Sequence, residues 1–124
     1  MATTETTTPR ARILIVEDEA LFARAVARRL EKAGYAMRIA GTLTEATGAL
    51  GEEAFDLLLL DMRLPDGSGL DFLQRLQAGP GAASAVIAVS AYGELEDAVS
   101  AMKLGAADYL RKPIDLEELL LNVE

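Results

Sequence analysis

The amino-acid sequence predicts an α/β fold in which five strand–helix units, (βα)5, form a doubly wound parallel five-stranded sheet. Short apolar runs alternate with longer segments of helical periodicity, and turn residues separate them. The runs at 13–16, 57–60 and 85–89 are almost wholly apolar, as strands buried on both faces are. The runs at 37–40 and 108–110 are shorter and more polar, which is typical of edge strands. With the three apolar strands in the centre, we expect the strand order 2-1-3-4-5.

The helical segments between these runs carry apolar stripes at the spacing that buries one face of a helix. Residues three and four positions apart share a face, so such a stripe marks the side that packs on the sheet. The stripes are Phe22, Val26, Leu30 and Ala33; Leu95, Ala98, Val99 and Met102; Leu116, Leu119, Leu120 and Val123; and, more weakly, Leu43, Ala46 and Leu50, and Phe72, Leu73 and Leu76.

Polar residues and glycines mark the expected helix ends. Thr42, Ser68 and Asp115 each precede a stripe and are followed three residues later by an acid, which is the spacing of an N-terminal cap. Glycines suited to the left-handed conformation at a helix end follow three segments: Gly34, Gly51 and Gly105.

The composition is that of one globular domain. The chain has 124 residues, of which 51% are hydrophobic and 26% charged. We expect residues 1–10, which are polar and rich in threonine, to be a disordered tail, and 11–124 to be the domain. The last helix is short, which indicates a chain cut from a longer protein or a helix that meets a partner.

Charge and missing residue types exclude several functions. The net charge of −8 repels phosphate backbones, so we do not expect direct nucleic-acid binding. No apolar run approaches the roughly 20 residues of a membrane span. Cysteine is absent, which fits a cytoplasmic protein. Histidine is also absent, so any chemistry that needs imidazole must come from another molecule.

Polar side chains follow the strands at the points where the strands end. Glu17 and Asp18 follow the first strand, Asp61 the third, Ser90 the fourth and Lys112 the fifth. Because the carboxyl ends of parallel strands meet at one edge of a sheet, we expect these side chains to lie together. Clustered carboxylates repel each other unless a cation neutralises them, and oxygen ligands suit Mg²⁺. The sequence therefore predicts a magnesium site at this edge.

The same residues suggest a reaction. An aspartate beside Mg²⁺ can act as a nucleophile and become an aspartyl phosphate, which is the role that we expect for Asp61. Lys112 would neutralise charge on the phosphoryl oxygens, and the Ser90 hydroxyl would donate a hydrogen bond to one of them.

Taken in order, Glu17-Asp18, Asp61, Ser90 and Lys112-Pro113 resemble the receiver domain of bacterial two-component response regulators. The resemblance covers about residues 11–124 and implies a flavodoxin-like fold. The residues from Ser90 to Gly93, with 98–103 and 105–110, are similar to receivers of the nitrogen-regulation type. The resemblance to receiver domains implies a phosphorylation-dependent signalling switch that controls an output domain or partner in transcription regulation.

The resemblance also implies the ligands and the phosphoryl donor. Asp61 would accept the phosphoryl group from a phosphohistidine of a sensor histidine kinase. Asp18 and Asp61 would bind Mg²⁺ directly, Glu17 through water, and Arg63 through its backbone carbonyl. Glu17 stands where the family more often has aspartate.

The switching residues follow from the same resemblance. Ser90, which stands where threonine is commoner, and Lys112 would hold the phosphoryl group. Tyr109 would turn inward as the Ser90 hydroxyl shifts, and Ala91 would leave room for that movement. The output would pass through a face made of the fourth helix, the fifth strand and the fifth helix, by dimerisation or by release of an attached domain.

Parts of the sequence are also compatible with two other functions. A small Mg²⁺-dependent phosphatase could use an aspartyl-phosphate intermediate at Asp61, but such enzymes usually carry a second acid two residues later, where this chain has Arg63. We therefore expect catalysis only of the chain's own phosphorylation and dephosphorylation. A receiver-like module that binds partners without phosphorylation is disfavoured by the complete set of acids, hydroxyl and lysine.

Overall fold

Seven strands and five helices follow one another in the part of the chain that the structure describes. The computed structural model describes residues 11–79, 84–90, 95–112 and 114–123. The strands are β1 (Arg12–Val16), β2 (Ala36–Ala40), β3 (Leu57–Asp61), β4 (Arg63–Leu64), β5 (Gly67–Ser68), β6 (Ala85–Ser90) and β7 (Asp108–Arg111). The helices are α1 (Ala20–Lys32), α2 (Leu43–Glu52), α3 (Gly69–Gln77), α4 (Leu95–Lys103) and α5 (Leu116–Val123). The predicted tail at 1–10 lies outside the described residues.

The main sheet confirms the predicted fold. Its five strands are all parallel and run in the order β2-β1-β3-β6-β7. The order is 2-1-3-4-5 once the short strands β4 and β5 are set aside. Those two strands form a separate antiparallel hairpin directly after β3, which the apolar pattern did not predict. The central position of β1, β3 and β6 agrees with their nearly continuous apolar sequence.

Two buried clusters lie on opposite faces of the sheet, because successive side chains of a strand point to opposite sides. Leu58 and Leu60 of β3 face the cluster built with α2, α3 and α4. Leu57 and Leu59 face the cluster built with α1 and α5. Helices therefore cover both faces, as a doubly wound sheet requires. No helix in the described ranges has the length and apolar character needed to cross a lipid bilayer.

The predicted stripes place α1, α2, α3 and α5 correctly, but the stripe in α4 was wrong in part. Val99 and Met102 are exposed, at 43% and 47%, whereas Ala101 is completely buried. The face that packs on the sheet therefore passes through Ala101. Residue size misled the prediction, because Val99 and Met102 point away from the core and the smaller Ala101 points toward it. The side chain of Leu95, which the predicted stripe also included, lies outside the described residues.

Helix ends agree with the sequence at two of the three glycines. Gly34 and Gly105 have positive φ angles of 100° and 99° and follow α1 and α4. The expectation for Gly51 was wrong, because α2 continues through it. Instead Glu53, in an extended conformation, ends α2 and donates its backbone N–H to the Ala49 carbonyl at 3.0 Å.

Candidate functional site

Three carboxylates meet at the carboxyl edge of the central strands. Asp61 is the last residue of β3, and Glu17 and Asp18 directly follow β1. The two strands are parallel neighbours with Val16 opposite Leu60, so the three side chains reach the same edge. One carboxylate oxygen from each acid lies within 4.8 Å of the others. Glu17 and Asp61 are only 4% and 7% exposed, whereas Asp18 is exposed.

A lysine ammonium lies among these acids. Lys112 follows β7, and its Nζ is 2.8 Å from Glu17 Oε1 and 3.4 Å from Asp61 Oδ2. Glu19 Oε1 is also 2.8 Å from this ammonium, and the ring centroid of Phe22 is 4.8 Å away. Neither of these last two neighbours was predicted. Glu19 directly follows the acid pair Glu17-Asp18, and this position in the sequence could have indicated that it belongs to the site. Phe22 gave no such indication, because it lies in the apolar stripe of the first helix.

The backbone after the third strand holds Asp61 in place. Asp61 Oδ1 accepts a hydrogen bond from the Arg63 N–H at 3.0 Å, and the Met62 carbonyl accepts one from the Gly69 N–H at 2.8 Å. A Cβ at Gly69 would lie 2.5 Å from the Asp61 carbonyl oxygen and 2.7 Å from Met62 Cα. Only glycine fits at this close approach, so the start of α3 packs directly on the Asp61 backbone.

Two of the predicted switch residues, Ser90 and Tyr109, lie on the next two strands of the sheet. Ser90 ends β6, is 1% exposed, and accepts the Lys112 backbone N–H at 2.8 Å through its carbonyl. Tyr109 is half-buried on β7, and its hydroxyl is buried with no hydrogen-bond partner among the described residues. Ala91 lies outside the described residues. The sheet register thus brings Ser90 to the edge that carries Asp61.

Burial and charge shift two pKa values in the site. Burial, together with the negative charge of Asp61, raises the pKa of Glu17 from 4.5 to about 7, against the hydrogen bonds from Lys112 and the Glu19 N–H. Burial alone would lower the pKa of Lys112, but its hydrogen bonds to Glu17 and Glu19 and the charge of Asp61 raise it above its ordinary value. One ammonium is shared by several acids, and the site retains excess negative charge.

This donor set fits a hard divalent cation. The three clustered side chains offer carboxylate oxygens only, and Mg²⁺ prefers a few carboxylates completed by carbonyl oxygen and water. A cation would also favour the charged form of Glu17, whose pKa is raised chiefly by burial and further by repulsion from Asp61. The acidic cluster is therefore suited to bind Mg²⁺.

The fold and site define a class of protein that the family comparison identifies. The family described as response regulator receiver domain matches residues 13–124, nearly the whole chain. The chain therefore belongs to this family, which confirms the resemblance seen in the sequence. Receiver domains are phosphorylation-dependent signalling switches that take phosphoryl groups from histidine kinases.

Three similar proteins illustrate the range of the family. The acid tolerance regulatory protein ActR of Rhizobium meliloti (strain 1021) is 38% identical over 90% of this chain and 57% of its own length. The uncharacterized transcriptional regulatory protein YkoG of Bacillus subtilis (strain 168) is 40% identical over 90% of this chain and 48% of its own. The chain thus spans about half the length of these relatives. The beryllofluoride-activated NtrC4 receiver domain dimer has a TM-score of 0.85 and 35% identity, covering 90% of this chain and 92% of that one.

Proposed function

We propose that residues 11–124 form a receiver whose Asp61 accepts a phosphoryl group from the phosphohistidine of a sensor histidine kinase in the cytoplasm. The observation that carries this proposal is the position of Asp61, which is nearly buried between two acids and an ammonium at the end of a central strand. The chain has no histidine, so the donor imidazole belongs to the partner.

Each group at the edge has a role in this transfer. An Asp61 carboxylate oxygen forms the new P–O bond while the P–N bond to the donor imidazole breaks. The imidazole leaves with the bonding pair and takes up a proton from solvent. Lys112 and the Ser90 hydroxyl hold the phosphoryl oxygens. Asp18 and Asp61 would bind Mg²⁺ directly, Glu17 through water, and Arg63 through its carbonyl. Bound Mg²⁺ supplies charge neutralisation on the transferring group.

The switch would involve Ser90, Ala91 and Tyr109. The Tyr109 hydroxyl is buried and has no hydrogen-bond partner among the described residues. The ring could therefore move without breaking a hydrogen bond to any of them. We propose that movement of the Ser90 hydroxyl toward the phosphoryl group shifts the populations of two Tyr109 arrangements. Tyr109 packs against the cluster that contains Ala101 of α4, which links the site to that helix.

The output would pass through the face made of α4, β7 and α5. Among the described side chains of its helices, Val99, Met102 and Leu121 are large, apolar and exposed. A homodimer through this face would cover them, and a dimer is recorded for the similar NtrC4 receiver. If so, Met102→Glu should abolish dimerisation in beryllium fluoride and Mg²⁺ without reducing Asp61 labelling. A dimer of unchanged stability in that variant would exclude this face.

The longer relatives suggest the setting of the switch. Because YkoG is named a transcriptional regulatory protein of about twice this length, we propose an attached output domain that acts in transcription. With a net charge of −8, the receiver itself is unsuited to contact DNA, so that contact would belong to the output domain. Similarity to NtrC4 supports the nitrogen-regulation type.

Acceptor mapping tests the proposal. The chain is incubated with acetyl phosphate and Mg²⁺, and intact mass is measured for wild type, Asp61→Asn and Asp56→Asn. Asp56 is an exposed aspartate at the opposite end of β3, so its variant is a matched control. We expect one phosphoryl group on wild type and Asp56→Asn and none on Asp61→Asn. Labelling that persists in Asp61→Asn places the acceptor elsewhere. We also expect the inorganic phosphate released to equal the phosphoryl groups lost from Asp61, since we propose no turnover of other substrates.

A further inference from the structure

The hairpin of β4 and β5 is fixed at its base to the proposed phosphoacceptor. The Arg63 N–H donates to Asp61 Oδ1 at 3.0 Å, and Arg63 pairs with Ser68 across the hairpin. The Met62 carbonyl accepts from the Gly69 N–H at 2.8 Å just beyond the hairpin. Any displacement of the hairpin would therefore move the backbone of Arg63, whose carbonyl is a proposed metal ligand.

The tip of the same hairpin is bonded to α2. Asp66 lies in the turn between β4 and β5, and its Oδ1 accepts the Leu43 N–H at 2.8 Å. Its Oδ2 accepts the Thr44 N–H at 3.0 Å and the Thr44 hydroxyl at 2.9 Å. The first amides of a helix have no partner inside the helix and carry partial positive charge, so a carboxylate is favoured there. The bonds from Leu43 and Thr44 accordingly lower the pKa of Asp66.

Asp66 is a second cap on α2, added to a local one. The Thr42 side chain already accepts the Glu45 N–H at 3.0 Å, as its position in the sequence predicted. The amides of Leu43 and Thr44 are instead bonded to the hairpin, which lies more than 20 residues further along the chain. Stabilisation of the helix alone does not require this long-range cap. Its particular effect is to join α2 to the segment that follows Asp61.

Packing reinforces the same contact. Leu43 is buried in the cluster between the sheet and α2, and Leu64 of the hairpin packs against that cluster. A Cβ at Gly67 would lie 3.0 Å from Leu43 Cδ1, so the hairpin and the first residue of α2 are in close contact. The hairpin is therefore held at both ends, by Asp61 at the base and by α2 at the tip.

We propose that Asp66 is a positioning residue, which bonds the hairpin to the N-terminus of α2 and so fixes the Arg63 carbonyl for a divalent cation. This inference rests on the proposed function, because it takes the Arg63 carbonyl to be a ligand of Mg²⁺. If the bonds between Asp66 and α2 increase the affinity for the cation, bound cation must stabilise those bonds by the same factor. Binding of a cation at the metal site would then stabilise the hydrogen bonds at the first turn of α2.

Two measurements on the folded protein test this role. The dissociation constant for Mg²⁺ is measured by calorimetry for wild type and Asp66→Asn, and we expect a rise of about fivefold in the variant. Hydrogen exchange at the Leu43 and Thr44 amides is measured with and without Mg²⁺. Mg²⁺ should slow exchange of both amides in wild type, and this effect should be absent in Asp66→Asn.

Three further variants separate positioning from stability and charge. Thr42→Ala removes the other cap of α2 and leaves the hairpin bonds intact, so it should lower the unfolding midpoint with an unchanged Mg²⁺ dissociation constant. Asp71→Asn removes the same charge from the exposed face of α3 and should also leave the constant unchanged. Should Asp66→Asn not fold, Thr44→Val removes only the hydroxyl bond, and a smaller rise is expected.

The outcomes that overturn the inference are distinct from those that overturn the proposed function. An unchanged dissociation constant in Asp66→Asn, or in Thr44→Val if the former does not fold, excludes the positioning role. An equal rise in Thr42→Ala or Asp71→Asn excludes it too, because helix stability or net charge would then account for the effect. A wild-type chain that neither binds Mg²⁺ nor is labelled at Asp61 contradicts the proposed function itself.

Discussion

The buried carboxylate of Glu17 should make the metal-free protein less stable as pH rises. Its pKa is raised from 4.5 to about 7, chiefly by burial, so the folded chain binds this proton more tightly than the unfolded chain does. Between these two values the native state holds more protons than the unfolded state, and stability therefore falls with rising pH. The neighbouring Lys112 remains charged across this window and does not alter the direction.

The size of the effect follows from the shift. A change from 4.5 to about 7 corresponds to about 3 kcal/mol, at about 1.4 kcal/mol per tenfold change in proton affinity. Glu17→Gln approximates a carboxyl that is always protonated. We expect the variant to match wild type near pH 4.5 and to exceed it by up to about 3 kcal/mol at pH 8 without metal. Mg²⁺ at 100 times its dissociation constant would restore about 2.7 kcal/mol to wild type.

Urea unfolding followed by far-ultraviolet circular dichroism provides the measurement, since the chain has no tryptophan. Wild type, Glu17→Gln and Glu118→Gln are compared at pH 5 and pH 8, with a chelator or with Mg²⁺. Glu118 is exposed on α5, so its variant changes the same charge away from the site. If the advantage of Glu17→Gln is the same at both pH values, the carboxylate is already ionised in the metal-free fold and the reasoning fails.

Three other predictions concern a close backbone contact at the site, the core and a surface ion pair. Gly69→Ala would place a Cβ 2.5 Å from the Asp61 carbonyl oxygen, so we expect both lower stability, by about 1–3 kcal/mol, and slower labelling by acetyl phosphate; wild-type values would disprove the close contact. Leu58→Ala removes a completely buried side chain and should lower the free energy of unfolding in urea by about 2–5 kcal/mol. A loss below about 1 kcal/mol would mean that the core closes over the space left by Leu58. The Arg29–Glu117 ion pair joins α1 to α5 at 2.6 Å but is partly exposed, so a double-mutant cycle in urea unfolding should give little or no coupling energy, and a strong coupling would contradict this expectation.

Much of the fold could be predicted because local and long-range signals agree. The run at β3 is apolar on both faces and lies in the middle of the sheet, whereas β2, which carries the charged Arg38 at its centre, lies at the edge. Caps at Thr42 and Ser68 are made as their spacing predicted. The carboxyl edge was predictable for the same reason, since a parallel sheet brings all of its strand ends to one side.

The sequence could not supply contacts that depend on the third dimension. The position of Asp66 directly after a proline predicts a turn residue. No feature of the adjacent sequence indicates that Asp66 caps a helix that begins more than 20 residues earlier. Glu19 reads as a helix N-terminal acid, yet its carboxylate bonds Lys112 and makes no cap. Gly51 follows an apolar stripe, but the helix continues because no left-handed residue is needed there.

The error in α4 is informative about where a partner would bind. A helix normally turns its largest apolar residues inward, because each buries more surface than an alanine does. Among the side chains of α4 that the structure describes the reverse holds, since Ala101 is buried and Val99 and Met102 are exposed. The same side of the sheet carries Tyr109, whose hydroxyl is buried without a partner among the described residues. A monomer gains no stability from either feature, whereas a surface that repacks and meets a second copy would cover the exposed side chains. The exposed apolar side chains of α4 and the unpartnered hydroxyl of Tyr109 therefore support the face that we propose for output.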